Sequence, residues 1–465
     1  MKTENIEDIY ELSPVQQGIL FHSLYAPELK LYFIQVSFTV RGNFNVAAFD
    51  RAWQQVVQRY TILRTSFYWE EIDKPLQVVH RNVKVPIEQY DWRGVDPVEQ
   101  DKRLEAFVKS DRDRGFDFSQ APLMRLTLLR LTEDSYQIIW SKHHLILDGW
   151  STTLVFQDVI QLYQGFVRNQ NASLAPCRPF KDYITWLRKQ NLSKAEIFWK
   201  QALNGIQSPT PLINLEAENL PTQEERYDEQ EIKLSAATTA ALQSLARQHQ
   251  LTLNTLFQGV WAILLSRYSG QNQVVYGCGV SGRPVNLSKV ESMVGVFINT
   301  LPVCLKLEPD QFLVVWLKQL QAQQVEMRQY EYTPLVEIQG WSEVPRTLPL
   351  FESIVVFENY PVEEFIQHPD EGLEILNFTG FYKTNYALNI IGYPGAELMI
   401  GISYDCQRFD PATITGILQH FEIVIQGILA NHNARLNELS LLTPVEQQIY
   451  LSLEKQVTLD FAGSY

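Results

Sequence analysis

Cysteine is scarce and scattered: the 465 residues hold four, Cys177, Cys278, Cys304 and Cys406, with no Cys-x-x-Cys pair among them. Such spacing supplies neither a zinc site nor a disulfide framework, and it fits reduced thiols in a cytosolic protein. Long hydrophobic runs are missing as well. No uncharged apolar stretch reaches the roughly 18 residues of a membrane span, and Met1-Lys2-Thr3-Glu4-Asn5 carries no apolar signal region. Neither secretion nor a membrane partner is indicated, and a cytoplasmic location is expected. Basic clusters are also lacking. With a net charge of -14, the chain has no Lys/Arg patch to neutralise phosphates, which argues against nucleic-acid binding. It contains neither a P-loop nor a Gly-x-Ser-x-Gly elbow, so nucleotide-driven activation and serine-hydrolase chemistry are both disfavoured.

What is present reads as a large α/β protein. The length suggests two or three lobes, and 45% apolar against 20% charged residues is a globular balance. Ile34, Val36, Phe38 and Val40 alternate with Gln35, Ser37 and Thr39 as a half-buried strand. Asn45 then caps a helix with Val46, Phe49, Trp53, Val56 and Val57 on its apolar face. Ser13-Pro14-Val15-Gln16 has capping-box spacing with Pro at the first helical position. Residues 63–69 read as a strand, 97–111 as a charged helix, and 123–131 with 136–144 as a hairpin. The polar stretch 169–179 is the best lobe boundary, and the second half again mixes strands with helices.

The chemistry concentrates at His143-His144-Leu145-Ile146-Leu147-Asp148-Gly149, where the predicted hairpin ends and a helical pattern over 151–166 begins. Neighbouring strand side chains face opposite ways, so the two histidines are poor joint ligands for a metal, and no metal is expected. One ring is then expected to face a cavity while the other packs beneath it. A His pair in a strand is more often core or surface than reactive. Even so, an imidazole of pKa ~6.5 is well matched to an α-amino nucleophile of pKa ~7.7–8.0. Asp148 lies too far along to be a close strand neighbour of His144, but it can fix the turn by pairing with a cation. Arg64 is the candidate, because a guanidinium in an aromatic-rich strand needs an anion.

The His-His-x-x-x-Asp-Gly pattern at a strand-to-helix junction resembles the active-site motif of the condensation domains of non-ribosomal peptide synthetases, within the chloramphenicol acetyltransferase-like superfamily. Four further segments match in order, Ser13 to His22, Arg59 to Phe67, Phe180 to Trp186 and Gly295 to Thr300 (with Ile298 where Val is more usual), and Tyr330 to Pro334, looser than the pattern, and Arg346 to Leu350 stand where the last two motifs belong. The resemblance implies two chloramphenicol acetyltransferase-like lobes, 1–177 and 178–457, in a V-shaped pseudo-dimer with a central tunnel, followed by a linker or tail over 458–465. It makes His144 the catalytic residue, either as a general base or as the group that positions the amine and stabilises the tetrahedral intermediate, with His143, Asp148, Gly149 and Arg64 supporting it and Arg64 salt-bridged to Asp148. Trp150, Ser151, Ser281 and Asn299 are expected to line the tunnel.

The implied reaction forms an amide bond between a donor aminoacyl or peptidyl thioester and an acceptor amine. Both are held on phosphopantetheine arms of carrier proteins, with an adenylation domain as neighbour and no cofactor bound by the domain itself. His143 argues against a heterocyclising relative, which has Asp there. Epimerisation, ester formation or cyclisation, and a non-catalytic docking module remain as alternatives. Gly277-x-Gly279-x-x-Gly282 imitates a dinucleotide fingerprint, but Arg283-Pro284-Val285-Asn286 continues as loop, not as the required helix. The resemblance instead places this stretch in a loop flooring the tunnel.

Overall fold

Two units organise the chain in a computed structural model that describes residues 3–170, 172–212, 227–358, 372–443, 445–449 and 452. The first takes in the described residues of 1–191, 281–299 and 360–385, and the second those of 192–280, 300–359 and 386–465. The single boundary expected after 177 therefore differs from the observed division. The helix after that boundary stays with the first unit because Phe180 packs on Phe297, at 5.3 Å between rings. Residues 281–299 and a late strand also return to it. The expected 458–465 tail lies outside the described residues.

In chain order the elements are β1 (Ile6–Glu11), α1 (Pro14–Tyr25), β2 (Phe33–Gly42), α2 (Val46–Arg59), β3 (Thr65–Tyr68), β4 (Leu76–His80), β5 (Ile87–Asp91), α3 (Pro97–Arg114), β6 (Met124–Arg130), β7 (Ser135–His143), α4 (Gly149–Val167) and α5 (Phe180–Leu187). There follow α6 (Leu192–Ala202), β8 (Tyr227–Lys233), α7 (Ala236–His249), α8 (Leu253–Ser269), β9 (Gln273–Val280), β10 (Asn299–Lys306), α9 (Leu313–Met327), α10 (Leu335–Trp341), β11 (Ser353–Phe357), β12 (Leu373–Tyr382), β13 (Leu388–Tyr393), β14 (Met399–Asp405) and α11 (Pro411–Ala430).

The first unit is built on a five-stranded sheet ordered β12-β2-β7-β6-β5, with a small sheet β1-β4-β3 beside it. Both faces of β7 are buried, for different reasons. Trp140 meets Trp53 of α2 edge to face at 4.8 Å, an apolar contact. On the opposite side Ser141 donates to Asp111 of α3 at 2.5 Å, and Asp111 also takes the Arg125 Nε at 2.6 Å. A carboxylate this deep is tolerable only because it is paired and hydrogen-bonded. The strand is thus fixed from above and below.

Helix starts follow their capping chemistry. Ser13 accepts from the Gln16 N–H at 3.2 Å while the Gln16 side chain accepts from the Ser13 N–H at 3.0 Å, completing the expected capping box. Asn45 accepts from Ala48 N–H at 3.0 Å and opens α2, an interaction worth about 1 kcal/mol. Residues 61–64 depart from expectation, forming a 3-10 turn, with β3 beginning only at Thr65.

The second unit carries the six-stranded sheet β10-β9-β11-β13-β14-β8. The contiguous apolar run of α8 buries Leu256, Val260, Trp261 and Leu264. By length and composition α11 passes as a membrane-crossing helix, yet it buries Ile414, Leu418, Phe421 and Ile425 in this unit's core.

Candidate active site

The hairpin of β6 and β7 delivers both histidines: β7 ends at His143, and His144 opens the turn into α4. Their rings have different surroundings. His143 Nδ1 accepts from the Leu145 N–H at 3.2 Å and its Nε2 lies 3.4 Å from Ser23 Oγ, with the Phe118 ring at 4.7 Å. Burial first, and then the neighbouring His144, hold its pKa down to about 3, so it stays neutral. His143 and His144 are equally buried, at 3% exposure each, so burial alone does not divide them as the sequence reading expected.

The His144 imidazole lies between two tyrosines, 6.2 Å from the Tyr32 ring and 5.6 Å from Tyr382, both near edge-on. Its main-chain N–H donates to Tyr32 O at 2.9 Å. Desolvation lowers its pKa, Asp148 opposes that, and Lys142 adds to it. Lys142 is itself buried, donating to Thr152 Oγ1 at 2.7 Å, and its pKa is pushed well down by burial. The outcome is an uncharged imidazole in a water-poor setting.

Asp148 caps α4 by accepting from the Ser151 N–H at 2.7 Å, and its second oxygen accepts from the Phe297 N–H at 2.9 Å. Its cation is Arg283, at 3.7 Å. Arg64 does not reach it: from the 3-10 turn, Arg64 pairs with Glu7 at 2.7 Å and donates to the His80 carbonyl, tying β1 to β4. The expected Arg64–Asp148 bridge is therefore corrected to Arg283–Asp148.

Arg283 also donates to Ser151 Oγ at 2.9 Å and to Met293 O at 2.9 Å, with Phe297 beneath it at 4.0 Å. Ser151 Oγ further accepts from the Gly295 N–H at 3.0 Å. Ser151 is fully buried and clamps the 281–299 segment to α4, so it lines no open space. Gly149 is the first residue of α4. Trp150 is half-buried and donates from its indole to Glu291 O at 2.9 Å; Ser281 is exposed; Asn299 is buried at the start of β10.

The Gly277-x-Gly279-x-x-Gly282 imitation is resolved here too. Gly277 and Gly279 lie within β9, and Gly282 opens a loop with φ +60°. A Cβ on Gly282 would collide with the Phe297 carbonyl. The glycine thus serves close approach to the segment that holds Asp148, not phosphate binding.

Three of the six further segments meet at this point, while Tyr330 to Pro334 and Arg346 to Leu350 belong to the second unit. Gln16 donates to Leu145 O at 2.9 Å, and Phe180 packs against Gly295 and Phe297. Tyr32, Tyr382 and Arg283 are site residues that sequence reasoning missed. The one available signal was Arg283, a lone cation beside a glycine in a segment already singled out.

A condensation-domain family model matches residues 6–451. The chain belongs to the condensation-domain family of non-ribosomal peptide synthetases. A linear gramicidin synthase protein of Brevibacillus parabrevis is 45% identical over 451 residues, covering 96% of this chain and 6% of that protein. Surfactin synthase subunit 3 of Bacillus subtilis (strain 168) is 33% identical, covering 97% of this chain and 35% of that one. The condensation domain thus spans well under half of either relative. A solved starter condensation domain of rhizomide synthetase shares the fold at a TM-score of 0.77 and 18% identity, covering 93% of this chain and 98% of that one. A four-domain nonribosomal peptide synthetase does so at 0.82 and 20%, covering 94% and 34%. The α/β, chloramphenicol acetyltransferase-like class read from the sequence holds.

Proposed function

We propose that this condensation domain forms an amide bond between a donor aminoacyl or peptidyl thioester and the amine of an acceptor aminoacyl thioester, with His144 at the reacting centre. Both substrates arrive on phosphopantetheine arms of carrier proteins, loaded by an adenylation domain. The observation that carries this reading is the desolvated, uncharged His144 imidazole at the mouth of a turn whose own carboxylate is already committed to α4, Phe297 and Arg283.

An uncharged imidazole can accept a proton or hydrogen bond from the attacking amine. The amine nitrogen bonds to the thioester carbonyl carbon, the carbon–sulfur bond breaks, and the donor arm leaves as thiol. The amine proton passes to His144 and on to the departing sulfur, so the imidazole is regenerated. Asp148, Arg283 and Ser151 hold the turn and do not touch substrate; His143 supports it.

The test loads two carrier proteins with aminoacyl thioesters and follows the acceptor carrier by intact-protein mass spectrometry. A dipeptidyl acceptor carrier is expected. Racemised donor without dipeptide would replace condensation by epimerisation.

A further inference from the structure

Tyr32 bonds the main chain of the histidine turn to the end of a strand from far along the sequence. Its carbonyl accepts from the His144 N–H at 2.9 Å, and its own N–H donates to the Lys383 carbonyl at 2.9 Å. Its hydroxyl donates to Asn385 Oδ1 at 2.7 Å, across 353 residues of sequence. The ring lies edge-on to the His144 imidazole, and Tyr382, the last residue of β12, stands on the imidazole as well. The ring also lies 6.4 Å from that of His22, so these three hydrogen bonds and two histidine ring contacts converge on Tyr32.

The backbone of Tyr32 is itself out of the ordinary, with φ at +64°. For an L-residue with a bulky ring the left-handed region costs about 1–2 kcal/mol. A tyrosine serving only to fill the start of β2 has no need of it. Rotating φ back to an extended value would turn the carbonyl away from His144 N–H, so the strained conformation is what lets one residue hold both neighbours.

We infer that Tyr32 is a positioning residue for the His144 imidazole, coupling its placement to the 383–385 segment through the hydroxyl bond to Asn385. This rests on the reading of His144 as the reacting group. If it holds, removing the hydroxyl alone must alter the imidazole without unfolding the unit. Tyr32→Phe keeps the ring, the left-handed backbone and both main-chain bonds.

The experiment uses the full chain with ¹³C-labelled histidine, His144 being identified by its loss in His144→Gln. In Tyr32→Phe the His144 Cε1 resonance and its titration midpoint shift while histidines remote from Tyr32 do not; His22, whose ring lies 6.4 Å from that of Tyr32, is left out of the reference set. Single-turnover condensation slows about five- to tenfold, the loss of one hydrogen bond, with KM for the acceptor unchanged. Asn385→Leu has the same effect, and the double variant is no slower than either single one. An unmoved His144 signal in Tyr32→Phe would overturn the proposal, as would losses that multiply in the double variant. The resonance reads ring placement whatever reaction is catalysed, so a shifted signal in a chain that forms no dipeptide supports the positioning role and counts against the condensation reading alone.

Discussion

The guanidinium of Arg283, and not that of Arg64, faces the carboxylate of Asp148: Nη2 stands 3.7 Å from Oδ1 and donates to Ser151 Oγ at 2.9 Å. A carboxylate buried at a helix start is stabilised by the helix N–H groups and by a cation together. Asp148 has both, which leaves His144 next to a charge that is already satisfied.

Removing the cation is therefore expected to cost more than removing Arg64 does at the site. Arg283→Met should destabilise the chain by about 3 kcal/mol, as for a broken buried pair, and should slow condensation. Arg64→Met loses the Glu7 and His80 contacts and weakens the small sheet, but leaves the catalytic rate of the folded fraction unchanged. Urea unfolding with single-turnover rates on both variants checks the pair. Equal loss of rate in Arg64→Met would restore Arg64 to the site.

The buried histidines give the domain an acid limb. An unfolded His takes its proton at about 6.5, whereas folded His143 takes it only near 3. Between those values the unfolded chain binds more protons, so stability is full above the unfolded value and falls as pH drops. His143 alone should account for about 2 kcal/mol of loss by about pH 5, and His144 shifts in the same direction. His143→Asn keeps an acceptor for the Leu145 N–H and removes that titration. Its urea midpoint should fall less than the parent's between about pH 7 and pH 5; parallel curves would contradict the assignment.

At Gly282 the left-handed backbone and the closeness of the Phe297 carbonyl act together. Gly282→Ala should lower stability by more than the roughly 1 kcal/mol of the backbone penalty, and should slow turnover, because Phe297 N–H holds Asp148. Gly94 has φ +80° with open space beside it, so Gly94→Ala is the control and should carry the backbone penalty only. Thermal melts and rates for both variants separate the two contributions.

The histidine turn was legible in the sequence because its signals are local: an alternating strand, a break at Asp148-Gly149 and a helical period beyond. The Ser13–Gln16 capping box and the β6–β7 hairpin were legible for the same reason. What could not be read is long-range. Asp148 finds Arg283 and Phe297 through a loop far along the chain, and β12 joins the edge of β2 with Leu373 opposite Gly42 and Tyr382 opposite Ile34. No periodicity in either segment encodes the other. Arg64 misled because a cation near an aromatic-rich strand announces only that it needs an anion, and Glu7 of β1, across β4 in the small sheet, supplies it.

The most direct test of the account is the single-turnover rate of dipeptidyl-carrier formation in His144→Ala against His143→Asn, both confirmed folded by their unfolding curves. Loss of about a hundredfold or more in His144→Ala, the scale of a removed proton-transfer group, with a near-parental rate in His143→Asn, is the predicted result. Parental rates in His144→Ala would remove that imidazole from the chemistry and the account with it.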